Sequence, residues 1–185
     1  MMLLGEYSVW TWGHFFFGLT YAITASLIFL FIVLLLFKPK IRICSFLCKY
    51  TTAGNPPIYI FKFINLSYFP AHEIRVELHK IRKIPMGSGK FNNEYHKLTL
   101  LNGEISHIPA RVPFWNKNAA NPHCVTVRSK ENINNILSDD SNAIILKVSL
   151  KHGLTGLSKV FEHEYAQEQA IKIGKFKPGT QFAVL

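Results

Sequence analysis

The N-terminal part of the chain contains a long apolar stretch without formal charge. From Val9 to Phe37, 29 consecutive residues include no Asp, Glu, Lys or Arg, and Leu27–Phe37 is unbroken hydrocarbon. A helix needs about 20 apolar residues to cross the hydrocarbon core of a bilayer. The pattern therefore predicts one transmembrane helix within residues 1–37.

The residues that flank this stretch favour a membrane anchor over a cleaved signal peptide. A signal peptide has a basic residue before a shorter apolar core and a small-residue cleavage site after it. Here Glu6 is the charged residue before the stretch, and Lys38-Pro-Lys-Ile-Arg42 follows it. By the positive-inside rule this asymmetry, extended by Lys49, predicts an N-terminus outside and a cytoplasmic C-terminal part.

Small and polar residues recur along the predicted helix. Gly18, Ala22 and Ser26 are spaced four residues apart, and such a stripe allows close packing of a second helix, although small residues occur in many anchors. Thr20 and Thr24 lie on a neighbouring face and His14 one turn before Gly18. These three polar residues would line a pore if the helices assemble around one, whereas a single His near a helix end favours the headgroup region.

After the apolar stretch the hydrophobic period changes to two. Residues 50–57 read as an extended linker because two adjacent prolines disfavour helix. Ile58–Asn65 is an apolar strand, and in Ala71–Lys83 the residues Ile74, Val76 and Leu78 alternate with charged ones, as in a half-buried antiparallel strand.

Further short strands and one helix are predicted in the rest of the chain. The strands are Lys97–Leu101, Ile105–Pro109, His123–Arg128, Ala143–Leu150, Leu157–Tyr165, Ala170–Phe176 and Gln181–Leu185, with a hairpin loop at 85–93 and a helix at Ser129–Leu137 capped by Ser129. So many short strands in about 130 residues predict a β-sandwich. We expect a helix at 1–37, a basic juxtamembrane linker at 38–57 and the sandwich at 58–185.

Composition and charge narrow the class of protein. Apolar residues make up 49% and charged residues 17%, which argues against intrinsic disorder and makes nucleic acid an unexpected partner. Three cysteines cannot form a disulfide-dense scaffold. They are expected to be reduced; Cys44 and Cys48 are either palmitoylated beside the membrane or, as the sequence favours, small buried apolar side chains.

Residues 36–180 follow a distinctive order of motifs. Basic Lys38–Arg42 precedes a strand ending in Asn65-Leu66 and a second strand, Glu73-Ile-Arg-Val-Glu-Leu78. Then follow Pro113-Phe-Trp115, Pro122-His123, the helix Ser129–Leu137, and strands at Ala143–Leu150, Val160–Tyr165 and Ile171–Phe176. This order resembles the cytoplasmic domain of inward-rectifier potassium channels, and the resemblance implies an immunoglobulin-like sandwich that forms a ring-shaped homo-oligomer.

The resemblance also suggests lipid contacts. In that family, basic residues at the junction of helix and domain bind phosphoinositide headgroups, and the matching residues here are Lys38, Lys40, Arg42 and Lys49. Positive-inside topology alone would also place basic residues there. Contact with anionic lipid headgroups is therefore expected, and specific headgroup recognition remains the alternative.

Two departures separate the chain from those channels. It contains no Thr-Val-Gly-Tyr-Gly-type filter, whose backbone carbonyls select potassium, so any conductance should lack potassium selectivity. Residues 38–185 carry 21 basic and 10 acidic side chains, a net of +11. A ring of such domains would repel cations unless the acidic groups face inward.

Motifs for catalysis or metal binding are weak. Glu162-His163-Glu164 lacks the spacing of a zinc helix, and the Gly-rich loop at 85–90 lacks the spacing of a phosphate-binding loop. Arg75 and His79 could suggest a ribonuclease site, but their presence on one predicted strand does not require an active site. The residues Cys44, Cys48, His123 and Cys124 lack the closely spaced ligand pairs of structural zinc sites. We expect no enzyme, no metal and no cofactor.

Three function classes remain. The first is a homo-oligomeric single-pass membrane protein with channel-like architecture, whose β-sandwich ring assembles or gates a helix pore. The second is an anchored effector or sensor that perturbs the membrane on binding a small ligand or protein trigger, as in bacterial antiviral defence. The third is a passive anchored subunit that recruits a partner.

Overall fold

A computed structural model describes residues 4–36, 38–88, 90–112 and 121–185, with helix side chains described for residues 13–34. The chain divides into two compact units, Met1–Lys38 and Pro39–Leu185. The first holds helix α1, Leu4–Leu36. Within α1, Gly13–Leu34 is long and apolar enough to cross a membrane.

In its described residues, the second unit, here called the β domain, contains ten strands, one short α-helix and a 3-10 turn at Glu168–Ala170. Its elements are β1 Ile41–Ile43, β2 Leu47–Tyr50, β3 Ile58–Asn65, β4 Ala71–Pro85, β5 Phe91–Leu98, β6 Glu104–Ile108, β7 Cys124–Ser129, α2 Ile133–Leu137, β8 Asn142–His152, β9 Ser158–Tyr165 and β10 Ile171–Ile173. The expectation of a mainly β fold after one N-terminal helix is confirmed. Among the expected motifs, Pro113-Phe-Trp115 lies outside the described residues.

The strands form two sheets. In sheet A, β3 pairs on one edge with β1 and then β2 and on the other edge with β7, while β10 adds in parallel to β2. In sheet B, β4 pairs on one edge with β5 and β6 and on the other with β8, which pairs with β9. Apart from β10, all these pairings are antiparallel.

One apolar core joins the two sheets. Phe61 of β3 and Tyr165 of β9 meet edge to face, with ring centroids 5.7 Å apart. The Tyr165 hydroxyl donates a hydrogen bond of 2.8 Å to the backbone carbonyl of Cys44, which satisfies its one buried polar atom. On β4, Ile74, Val76 and Leu78 all point into this core, as the alternating pattern predicts.

The expected linker at 38–57 is wrong in part, because β1 and β2 belong to sheet A. Ile41 and Ile43 pack against the core, and Leu47 is completely buried within it. The β domain therefore begins at Pro39 rather than at residue 58. Strands of three and four residues carry too little pattern to be recognised locally, and pairing with β3 stabilises them.

Two expected element ends also differ from the structure. Ser129 is not the helix cap; it is the buried last residue of β7, and Asn132 caps α2 by accepting a hydrogen bond from the backbone N–H of Asn135. Residues 181–185 form no strand, only a single bridge between Phe176 and Val184. The strand expected at Lys97–Leu101 lies instead at Phe91–Leu98, and the strand expected at Ala170–Phe176 is shortened to Ile171–Ile173.

Candidate functional site

The expected lipid-binding residues lie at the start of the β domain and just before it. Lys38 and Lys40 are exposed, Arg42 is exposed on β1, and Lys49 is half-buried on β2. Arg42 and Lys49 thus belong to sheet A rather than to a juxtamembrane segment outside the sandwich. Their backbone positions are set by pairing with β3.

The register of sheet A defines a second side that faces away from the core. Phe61 and Phe63 of β3 point into the core, so Ile60, Lys62 and Ile64 point to the outer side. Directly paired residues share a side of the sheet, and Arg42 pairs with Ile64. Arg42 therefore projects from the outer side.

The same register brings distant basic residues to this side. Arg128 of β7 pairs with Ile60, and Lys172 of β10 pairs with Cys48, which itself pairs with Ile60. Lys175 and Lys177 follow in the C-terminal segment, and these four side chains are exposed. We call Arg42, Arg128, Lys172, Lys175 and Lys177 the basic face.

Acidic residues are absent from this part of the fold. Residues 38–72, 105–130 and 169–185, which supply all the strands of sheet A, contain no Asp or Glu. In the described part of the chain, the close ion pairs lie on sheet B, for example Lys147 with Glu162 at 3.0 Å and Lys151 with Glu73 at 3.2 Å. The β domain is therefore strongly asymmetric in charge.

The C-terminal segment covers part of the outer side of sheet A. In residues 174–185, here called the strap, the N–H of Lys177 donates to the carbonyl of Ala183 and that of Leu185 to the carbonyl of Lys175, each at 2.8 Å. Phe176 of the strap stacks on Phe46 at 5.5 Å, within a small second core. Gly174 permits the turn into the strap, because its φ is +127° and a Cβ there would strike the backbone of Leu185.

A buried lysine fastens the strap to the sheet. Lys62 of β3 is 2% exposed, and its Nζ donates hydrogen bonds to the carbonyls of Lys177, at 2.8 Å, and Gln181, at 3.0 Å. Burial lowers the pKa of this amine below its ordinary value. Lys62 therefore holds the strap in place and is closed to external ligands.

Aromatic rings support the exposed cations of the basic face. The Nζ atoms of Lys172 and Lys175 lie 3.9 Å from the ring centroids of Phe46 and Tyr50, respectively. The Arg42 guanidinium lies 5.3 Å from the ring of Phe182. Such contacts restrict long side chains while leaving their charges toward solvent.

The cysteines lie in the same part of the domain. Cys44 and Cys48 are completely buried, in agreement with the interpretation as small apolar side chains. Burial raises the pKa of both thiols, that of Cys48 to about 11. Neither thiol is accessible to acylation in the folded domain, and no three metal-ligating side chains cluster among the described residues.

The small and polar residues of helix α1 are exposed. Gly18, Ala22 and Ser26 are all exposed, and the hydroxyl of Ser26 donates to the carbonyl of Ala22 at 2.8 Å. The hydroxyls of Thr20 and Thr24 likewise donate to carbonyls of their own helix. His14 is also exposed, and helix packing and pore lining by these residues both stay predictions.

Comparison of the chain with protein-family models and with curated proteins gives no match. The resemblance to inward-rectifier cytoplasmic domains therefore remains a hypothesis, and function has to be argued from the basic face.

Sequence reasoning missed Arg128, Lys172, Lys175 and Lys177 as members of the candidate site. They lie far in sequence from the basic residues 38–49. The register of sheet A brings Arg128 and Lys172 to its outer side, and the strap carries Lys175 and Lys177. The acid-free segments were the available signal, since three separate stretches of the chain carry basic residues without any carboxylate.

Proposed function

We propose that this chain is a single-pass membrane protein whose β domain binds the anionic surface of the membrane through the basic face. The observation that supports this most directly is that every strand of sheet A lacks acidic residues, while the five exposed cations of the basic face belong to its outer side and to the strap that covers part of that side. Each such cation contributes on the order of 1 kcal/mol near an anionic leaflet. Helix α1 supplies the anchor, and the β domain lies in the cytoplasm.

The short connection favours such docking. Five residues separate the end of α1 at Leu36 from Arg42 within β1, so the β domain is tethered close to the bilayer surface. Tethering raises the effective concentration of the basic face at the membrane. Individually weak contacts then suffice to orient the domain.

Depth-dependent fluorescence quenching in nanodiscs tests the orientation. Full-length protein carries a fluorophore at Thr180→Cys, in the strap, or at Ser158→Cys, on sheet B; both positions are exposed. In discs containing anionic lipid with headgroup nitroxides, the label at position 180 should be quenched more strongly than that at 158. Raising the salt concentration should remove the difference, and stronger quenching at position 158 would contradict the proposal.

Of the expected lipid-binding residues after the helix, Arg42 belongs to the basic face, whereas Lys49 pairs with core-facing Tyr59 and lies on the other side of sheet A. Neutralising Lys40, Arg42 and Lys49 to Gln, with Lys38 kept for topology, should weaken docking on anionic discs by up to a few kcal/mol, more visibly at low salt. Unchanged quenching at position 180 would show that these residues only fix topology.

Helix α1 supports a second candidate function, assembly into a homo-oligomer with channel-like architecture. The exposed line Gly18, Ala22 and Ser26 allows close helix approach. Vesicle leakage distinguishes a channel from an effector or sensor. Leakage by the protein alone favours a channel, leakage only with a trigger favours an effector or sensor, and potassium selectivity is not expected.

A further inference from the structure

A cavity of about 220 Å³ opens on the outer side of sheet A, beside the strap. Strands β2, β3 and β7 form its floor, and residues 175–176 of the strap form one wall. Its lining residues are Tyr50, Ile58, Ile60, Thr126, Arg128, Lys175 and Phe176.

The cavity combines two cations with no carboxylate. Arg128 and Lys175 are both exposed at it, and neither has an acidic partner among the described residues. The pKa of the Tyr50 phenol is lowered, first by a hydrogen bond with Thr52 and then by the hydrogen bond and charge of Lys175. The Nζ of Lys175 lies 3.9 Å from the ring centroid of Tyr50, so its charge is held at the edge of the cavity.

We propose that this cavity binds a phosphomonoester group. The planar guanidinium of Arg128 can donate two parallel hydrogen bonds to phosphate oxygens, while Lys175 supplies a point charge. The hydroxyls of Thr126 and Tyr50 add donors of lower charge. Ile58 and Phe176 give an apolar wall for the carbon atoms that carry the phosphate.

Two sources can present this chemistry: the headgroup of a phosphorylated lipid, or a soluble phosphorylated metabolite. The lipid source rests on the proposed docking of the β domain at the membrane. Binding of a soluble metabolite needs only the cavity, so the cavity proposal and the membrane-docking proposal can fail independently.

The decisive substitution is Arg128→Lys, which keeps the charge and removes the planar fork. Arg128→Gln removes both, and Lys159→Gln on sheet B, an exposed cation away from the cavity, is the matched control. The side chains of Arg128 and Lys159 are both exposed, so we expect these substitutions to leave the strand pairing unchanged, and circular dichroism checks the fold.

The soluble arm measures glycerol 3-phosphate binding by calorimetry, with full-length protein in neutral-lipid nanodiscs. Arg128→Lys should weaken binding at least about tenfold, as expected from loss of a bidentate contact, and Lys159→Gln should leave it unchanged. Equal binding by Arg128→Lys and the unsubstituted protein would overturn the proposal, as would absence of binding in both arms.

The lipid arm compares nanodiscs with phosphatidic acid, a phosphomonoester, and phosphatidylserine at matched surface charge. The unsubstituted protein should prefer phosphatidic acid, Arg128→Lys should lose the preference, and the control Lys159→Gln should keep both the preference and general docking. Docking without any preference leaves the proposed function intact and refutes the lipid source of the cavity ligand. Binding of glycerol 3-phosphate without docking supports the cavity and refutes the proposed function.

Discussion

Replacement of Lys62 by Met tests whether a buried ammonium fastens the strap. The two hydrogen bonds that its Nζ donates join β3 to the carbonyls of Lys177 and Gln181, and the side chain is almost completely buried. A hydrogen bond to a charged group contributes about 1.5–3 kcal/mol, so the pair contributes about 3–6 kcal/mol. Burial of the ammonium costs several kcal/mol, which offsets much of this gain.

Met fills the volume of the lysine stem but donates no hydrogen bond. We therefore expect Lys62→Met to lower the free energy of unfolding of the β domain by about 2 kcal/mol near neutral pH. Lys130→Met, at an exposed position after β7, should stay within about 0.5 kcal/mol of the unsubstituted protein.

The same substitution should change the pH dependence of stability. Because burial lowers the pKa of Lys62 in the folded state, the unfolded chain binds more protons between that lowered value and the ordinary 10.5. Stability from this group therefore rises with pH across that interval. The difference between unsubstituted protein and Lys62→Met should widen as the pH is raised toward 10.5, since a neutral amine still has two N–H donors for the two carbonyls.

Urea unfolding of the full chain in detergent gives the stability, and amide hydrogen exchange locates the effect. Exchange should accelerate at the N–H groups of Lys177 and Leu185, which are bonded only while the strap is folded back on itself. Unchanged stability together with unchanged exchange at these two amides would refute the role assigned to Lys62.

Three further changes test other parts of the chain. A reporter fused after Leu185 should be active in the cytoplasm, and cleavage by signal peptidase would contradict this topology. Gly18→Leu with Ala22→Leu should reduce oligomer size in detergent, because bulky side chains separate helices; an unchanged size would assign assembly to the β domain. Asn65→Asp should lower the free energy of unfolding by about 3 kcal/mol, since its buried Nδ2 donates to the Pro109 carbonyl at 3.0 Å; equal urea midpoints would exclude this.

Much of the fold follows from local pattern where a strand is long and its burial regular. The bounds of β3 agree with prediction at both ends, because Ile58–Asn65 lies between a proline pair and a polar turn. In β4, the alternation of buried and exposed residues fixes which side chains enter the core. The period of two is a property of the extended backbone, so it is readable without knowledge of the partners.

Elements that depend on distant partners were not predictable in this way. β1 and β2 are short, and the neighbouring prolines suggested a linker, yet pairing with β3 makes them strands. Ser129 has the residue type of a helix cap, but its hydroxyl donates to the carbonyl of Thr99 at 2.8 Å at the end of β7. In both places tertiary hydrogen bonds outweigh local preference.

The basic face shows the same limit at the level of function. Reading along the chain finds Lys40 and Arg42, because they lie together after the helix, but the side on which Arg42 projects depends on its pairing with Ile64. Arg128 enters the site only because β7 pairs with the opposite edge of β3, some 60 residues earlier in the sequence. Linear sequence does record one necessary condition, the exclusion of carboxylates from every segment that builds sheet A. Basic residues that are dispersed along the chain but gather without carboxylates on one sheet therefore indicate a charged surface. The strand register determines which of these residues belong to that surface.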